Sequence, residues 1–247
     1  MPLHSKINEL LARTLAIQIR PVNAQTTPSL QTAAALGVME IDVVLDVGAN
    51  VGQFAQELRT ANYKGHLVSF EPLSTAHRVL ASRASRANGW TVHPRCAVGA
   101  RIDQIEINVA ANSVSSSALP MLNAHLAAAP GSSYVSHETV PMITVDSIWD
   151  QYCGTAQAPF LKIDTQGYEW QVLDGALESL PKCKGVLLEL SLVPLYEEQR
   201  LWNDLIARMA QSGFELWSLQ PGFVDKRTGR TLQLDGLFAQ RAFILSQ

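Results

Sequence analysis

Four apolar runs in this chain lead into an acid. Val43, Val44 and Leu45 precede Asp46; the run His66 to Phe70 precedes Glu71; Phe160 to Ile163 precedes Asp164; and Gly185 to Leu188 precedes Glu189. A carboxylate at the end of a buried strand can attract a cation, accept hydrogen bonds from two hydroxyls at once, or take a proton. Asp46 opens the pattern DxGxNxG, in which Gly48 and Gly52 bracket Ala49, Asn50 and Val51 before Phe54, Ala55 and Leu58 take up helical spacing. Strand, glycine turn and helix in that order make a candidate nucleotide site, because ligands of open α/β sheets settle at the carboxyl ends of parallel strands.

Glu71 follows Asp46 by 25 positions, a separation at which an acid can reach ribose hydroxyls. The loop departs from GxGxxG, whose glycines make room for a pyrophosphate. An Asp46 carboxylate facing the pocket would repel phosphate and attract positive charge. S-adenosylmethionine, with a sulfonium, an α-ammonium and no phosphate, suits that strand end better than NAD does.

The elements that must hold these groups alternate. Strands are expected over residues 43–46, 66–71, 90–98, 104–110, 139–145, 160–164, 185–191 and 214–219, with a closing apolar run at 236–245. Helices are expected over 5–20 with Ser5 as N-cap, over 30–39 stopped by Gly37, and over 53–59, 75–87, 169–180 and 197–211. That alternation implies a mostly parallel sheet covered by helices on both faces. Residues 1–40 read as an N-terminal helical extension that could lie across the site as a lid, and residues 41–247 as the catalytic domain. The stretch from Asn108 to Thr139 is long for a plain connection, which marks it as a candidate functional loop.

Several motifs between residues 40 and 240 appear together and in order: LDVGANVGQF, SFEP, AVG, NSVSSSALP, TVDSI, FLKIDTQGYEWQVLDGA and LLELSLVPLYE. In this the chain resembles the FkbM-type family of S-adenosylmethionine-dependent methyltransferases. The resemblance implies a class I, Rossmann-like α/β fold: a seven-stranded, mostly parallel sheet whose last strand is antiparallel. It also implies methyl transfer to a hydroxyl of a sugar, glycolipid, polysaccharide or macrolide-type natural product. Carried over by position, Asp46, Gly48, Ala49, Asn50 and Gly52 would line the methionine and ribose end. Glu71 would hold the ribose, and Pro72, Leu73, Ala97 and Val98 would border the adenine. Ser116, within the serine run 115–117, would contact cofactor or acceptor.

Asp164 would then sit where methyl donor and acceptor meet, and a carboxylate there can orient the hydroxyl or accept its proton. Glu189 could act with it as a second carboxylate, or the two could hold Mg2+, whose oxygen preference they match. The competing reading of Asp164 is a cap for the following helix, with Glu169 serving the same helix. Familiar versions of this block carry Glu where this chain has Gln166, which weakens an acid or metal role there. His137 is a further candidate base because it titrates near neutrality and lies in the long loop; His93, in a strand pattern, reads as structural. Trp170, Trp202 and Trp217 fit core packing better than sugar stacking.

Composition bounds the remaining choices. Of the 247 residues 47% are hydrophobic and 17% charged, which describes a globular chain, and the net charge of −3 with no Lys/Arg block argues against a nucleic-acid partner. Charged residues interrupt the N-terminal apolar stretch, so neither a secretion signal nor a membrane span is expected, and the cytoplasm is the default compartment. Three separated cysteines, Cys96, Cys153 and Cys183, make neither a disulfide framework nor a zinc site. A small-molecule or glycan acceptor is expected; an NAD-dependent oxidoreductase on a similar sheet and a cofactor-binding module without turnover are the alternatives. Oligomeric state is not readable from the sequence.

Overall fold

The computed structural model describes residues 3–246. Its central sheet is built from β1 (Val43–Val47), β2 (His66–Phe70), β3 (Trp90–Val92), β7 (Pro159–Ile163), β8 (Gly185–Ser191), β9 (Phe214–Pro221) and β12 (Gln233–Gln240). Their spatial order is β3-β2-β1-β7-β8-β12-β9. β3, β2, β1, β7 and β8 run parallel, and β12, the last strand, is antiparallel to both neighbours. This is the class I methyltransferase arrangement expected from the sequence. Every residue of β1 and β7 is buried, as strands covered on both faces require.

Alternation along these strands divides two cores. Leu45, Val68, Leu161, Ile163 and Leu188 face α6 (Val145–Cys153), α7 (Glu169–Asp174) and α8 (Trp202–Gln211). Val44, Leu67, Phe160, Leu187 and Leu237 face α2 (Pro28–Val38), α3 (Gln53–Thr60) and α4 (Ser74–Ala84). Ala35 and Leu36 of α2 belong to that second core, so this helix packs as part of the catalytic fold, while α1 (Leu3–Leu15) leaves Ile7, Leu10 and Leu15 exposed. α1 ends at Leu15 rather than residue 20, and Ser5 lies inside it rather than at its cap. α2 runs through Gly37 to Val38.

A second sheet, absent from the sequence reading, covers one end of the first. It contains β4 (Ala97–Val98), β5 (Asp103–Ala110) and β6 (Tyr134–Ile143) in the order β4-β6-β5. The expected strand over 90–98 splits between the two sheets around His93 and Pro94, because proline lacks an N–H to continue the ladder. The expected loop at 108–139 also resolves into structure: it carries α5 (Asn123–Ala128), a turn of 3-10 helix at Pro130–Ser132 and the first half of β6. The strand expected over 139–145 is the second half of β6; the first half escapes pattern reading because Val135, Ser136 and His137 are all exposed and show no alternation. α7 stops at Asp174, six residues before the expected end; the Gly175 carbonyl accepts from the Asp146 amide at 3.0 Å, and only a glycine fits there, since a Cβ would meet the Gly99 carbonyl oxygen at 2.0 Å. The small strands β10 (Val224–Asp225) and β11 (Arg230–Thr231) flank the turn at 226–229. Cys96, Cys153 and Cys183 are buried and free. No described helix is long and apolar enough to cross a membrane.

Candidate active site

The turn after β1 brings three strand ends together. The Gly48 and Ala49 amides donate to the Phe70 carbonyl at 3.1 and 3.0 Å, and Gly48 adopts φ +75°. A Cβ at Gly48 would lie 1.8 Å from the Asp164 carbonyl oxygen, and one at Gly52 would strike the Trp90 ring at 2.7 Å. The glycines therefore let the chain approach itself, at β7 and at Trp90, rather than approach a ligand directly. Asn50, at φ +47°, turns its amide toward Glu71. Glu71 accepts from the Asn50 amide at 2.7 Å and from the Leu73 amide at 2.8 Å. Burial pushes its carboxyl up to about 7, against the pull of those two amides.

A polar row crosses the α2–α4 face of the sheet. Trp90 Nε1 donates to Ser69 Oγ at 3.0 Å, and Ser69 Oγ donates to Asp46 Oδ2 at 2.9 Å. Asp46 Oδ1 lies 3.2 Å from Nζ of Lys162, its register partner on β7. Lys162 also donates to the Val47 and Gly48 carbonyls at 3.3 and 3.1 Å, and stands 3.6 Å from Asp164 Oδ2. Burial works against its charge, but Asp46 and Asp164 outweigh that and raise the ammonium pKa. Asp46 is thus fully buried and neutralised by Lys162, and it lies off the cavity wall. The expectation of a free, cation-seeking carboxylate at this strand end is corrected: a buried acid needs a paired charge, and the paired charge is on the neighbouring strand.

Beyond Lys162 the row continues with Glu189 on β8 and Asp235 on β12, which are register partners. Gln166 Nε2 donates to Asp164 Oδ1 at 2.9 Å and lies 2.9 and 3.0 Å from the two Glu189 carboxylate oxygens. The Tyr196 hydroxyl donates to Gln166 Oε1 at 2.9 Å. Burial, then the charges of Asp164, Glu169 and Asp235, hold the Glu189 carboxyl well above its usual range. Burial and Asp164 push Asp235 up to about 7. Neither Asp164 nor Glu169 caps α7, whose N-cap Tyr168 has no side-chain cap bond; Glu169 instead ties down the preceding loop, accepting from the Thr165 and Gly167 amides at 2.9 and 3.1 Å.

These groups line a cavity of about 300 Å3. Leu73, Ala97 and Val98, with Ile105 and Ile107 of β5, make its apolar wall; Gly48, Ala49, Asn50 and Glu71 form the next section; Asp164, Gln166, Glu189 and Asp235 form the acidic end. Pro72 and Ser116 also line it, and Ser116 Oγ accepts from the Ala110 amide at 2.9 Å. The cavity fits an adenosine joined to a cationic amino-acid tail: apolar walls for a base, a carboxylate with spare lone pairs for a diol, and acids for positive charge.

A family model described as the methyltransferase FkbM domain matches residues 46–216. The chain belongs to the FkbM methyltransferase family. This FkbM domain is an S-adenosylmethionine-dependent methyltransferase, which removes the NAD-dependent alternative. Its fold is similar to magnesium protoporphyrin IX methyltransferase from Synechocystis with bound S-adenosylmethionine, at 9% identity and TM-score 0.46, covering 97% of this chain and 98% of that one. TehB from Haemophilus influenzae matches at 9% identity and TM-score 0.45, covering 94% and 66%. No curated protein matches the sequence significantly.

Within the FkbM domain, the Mg2+ reading of Asp164 and Glu189 does not fit. Lys162 and Gln166 already occupy the positions from which those carboxylates would bind a cation, and among the described residues no group of three His, Cys, Asp or Glu is placed to hold a metal. His137 is likewise corrected: it stands on the exposed face of β6, 3.7 Å from Glu106 and off the cavity wall, because the hairpin directs it to solvent. Gly52 packs beneath Trp90 instead of lining the cavity. His93 is structural, with Nδ1 2.8 Å from the Tyr152 hydroxyl, and Trp170 is stacked by Arg208. No residue of 1–40 lines the cavity among those described. Sequence reasoning missed Lys162, Asp235 and Tyr196. Lys162 carried a signal, since a lysine inside an apolar parallel strand is buried and must be paired.

Proposed function

We propose that this methyltransferase acts on a hydroxyl of a sugar, of a glycolipid or polysaccharide, or of a macrolide-type natural product, with Asp164 as the group that orients that hydroxyl and receives its proton. The observation that carries this is the position of Asp164. Its side chain is 39% exposed at the cavity, with one oxygen on Gln166 and the other toward Lys162. S-adenosylmethionine supplies an electrophilic methyl group on sulfur. Glu71 would hold the ribose diol, Leu73, Ala97 and Val98 would border the adenine, and Gly48 to Asn50 would border the methionine end. Bound there, S-adenosylmethionine would supply the methyl group and retain the sulfur as leaving group, while Asp164 would hold the acceptor hydroxyl in line and take up its proton.

A hydroxyl-rich neutral acceptor is favoured by the acid and amide groups around Asp164, which would repel a phosphate backbone. Three free cysteines agree with work in the cytoplasm. Incubation with methyl-labelled S-adenosylmethionine and fractionated host glycans and metabolites, followed by mass analysis, tests the reading. Label on a hydroxyl oxygen of a glycosylated product is expected, with a loss of at least about a hundredfold in Asp164→Asn. Label confined to RNA or to nitrogen would overturn the acceptor assignment, and wild-type turnover in Asp164→Asn would overturn the catalytic one.

A further inference from the structure

The acidic end of the cavity raises a charge question: Asp164, Glu189 and Asp235 all line it, yet among the described residues no three such groups are placed to hold a divalent cation. Here a side chain stands at the place such an ion would take. Gln166 Nε2 is 2.9 Å from Asp164 Oδ1 and 2.9 and 3.0 Å from the two oxygens of Glu189. A carboxamide nitrogen carries two protons, so one serves each carboxylate. The amide orientation is dictated by its surroundings. Turned over, Gln166 would set its own oxygen against three carboxylate oxygens, whereas as placed Oε1 accepts from Tyr196.

The backbone has been shaped to deliver that amide. Gln166 sits at φ +54°, a left-handed conformation that non-glycine residues adopt at a cost. It is held there by the Ser117 hydroxyl, which donates to the Gln166 carbonyl at 2.6 Å, and by Glu169, which accepts from the amides on either side at Thr165 and Gly167. The remaining Asp164 oxygen faces Lys162. Lys162 supplies fixed positive charge, and its donors are spent on Asp46 and two carbonyls, so it stays in place.

We propose that the Gln166 carboxamide substitutes for a divalent cation between Asp164 and Glu189, so that this site runs metal-free methyl transfer, and that replacing this one amide by a carboxylate converts it into a divalent-cation site. An entering ion would have to displace Nε2 and break its bonds to both carboxylates, which costs the amide its partners. A carboxylate at 166 reverses that balance, because it would face Asp164 and Glu189 at hydrogen-bond distance and leave their negative charge uncompensated until a cation enters.

The test is Mn2+ titration of the full-length protein, read by electron paramagnetic resonance and calorimetry, for wild type, Gln166→Glu, Gln166→Ala and the Gln166→Glu/Asp164→Asn pair. Circular dichroism melts and S-adenosylhomocysteine affinity report whether each variant is folded. Wild type is expected to show no saturable site below millimolar Mn2+. Gln166→Glu is expected to bind one equivalent at least tenfold more tightly than wild type, and to lose that gain with Asp164→Asn. Should Gln166→Glu fail to fold, Gln166→Ala, which removes the amide without adding charge, is expected to show a smaller gain in Mn2+ affinity. One tight equivalent in wild type, or a folded Gln166→Glu or Gln166→Ala with no gain, overturns the proposal. Its catalytic meaning rests on the methyl-transfer reading, but Mn2+ binding is measured without an acceptor, so failure to label a glycan and failure to gain a cation are separate results.

Discussion

In the proposed reaction Glu71 and Asp164 have different tasks, and their surroundings differ accordingly. Glu71 is almost completely buried, with an amide donor on each oxygen. Its charge is therefore directed, and its pKa of about 7 places its ionisation in the working range. Because only the ionised form accepts fully from a diol, S-adenosylhomocysteine should bind roughly tenfold more tightly at pH 8 than at pH 6, where about a tenth of the group is ionised. In Glu71→Gln the affinity should fall by about tenfold or more and the pH dependence should flatten. Calorimetric titration across that range checks both, and an unchanged slope in the variant would remove Glu71 from the ribose site. Asp164 is more open and balanced between Lys162 and Gln166, which suits a group that must meet an incoming acceptor. The spacing of Asp46, Glu71 and Asp164 was legible because each ends an apolar run. The pairing of Asp46 was not, because its partner lies 116 positions away, Asp46 to Lys162, and only strand adjacency brings the two together.

At the scale of elements, β1 and β7 are held by both hydrogen bonds and charge. Lys162 spans from Asp46 to the Val47 and Gly48 carbonyls, so it fixes the turn that shapes the cavity floor. Removing it in Lys162→Met leaves a buried, uncompensated Asp46, and stability should fall by about 3–5 kcal/mol. Denaturant unfolding measures this, and the double variant with Asp46→Asn should recover part of the loss. Gly48→Ala meets a harder constraint, since its Cβ would enter the Asp164 carbonyl. Soluble yield and melting temperature should both drop, more than for Gly37→Ala, where a Cβ meets nothing within 4 Å. Strand identity was readable for β1, β7 and β8, whose unbroken apolar runs have one interpretation. β5 and the second half of β6 were also readable as strands, but their grouping with β4 into a separate sheet was not, because pairing order is not a local property and β4 has only two residues.

Across the whole molecule, α2 and α1 separate what the fold needs from what it carries. Leu36 is fully buried against the sheet, so Leu36→Ala should cost about 2–5 kcal/mol, whereas deletion of residues 1–22 should change stability by less than about 0.5 kcal/mol. Thermal melts of the two variants compare them directly. The collected buried acids also tie apoprotein stability to pH. Glu71, Glu169 and Asp235 are all raised to about 7, so the folded state retains protons that the unfolded chain releases. Their contribution is present below the unfolded values of 4.5 and 3.8 and is lost as pH rises through 7. His66, His93 and His125, lowered from 6.5 by burial, act in the opposite direction below that value, so the fall is best read above it. Melting temperature should decline between about pH 6.5 and 8, and Asp235→Asn should reduce that decline. The sequence by itself determined the strand ends, the acid positions and the family block, because strand periodicity and glycine placement are local properties of neighbouring residues. Which acids are paired, which face the cavity, and that Gln166 bridges Asp164 to Glu189 were decided only by tertiary structure. Charge compensation is set by distance in space, and the sheet order β1-β7-β8-β12 joins residues that the chain keeps far apart.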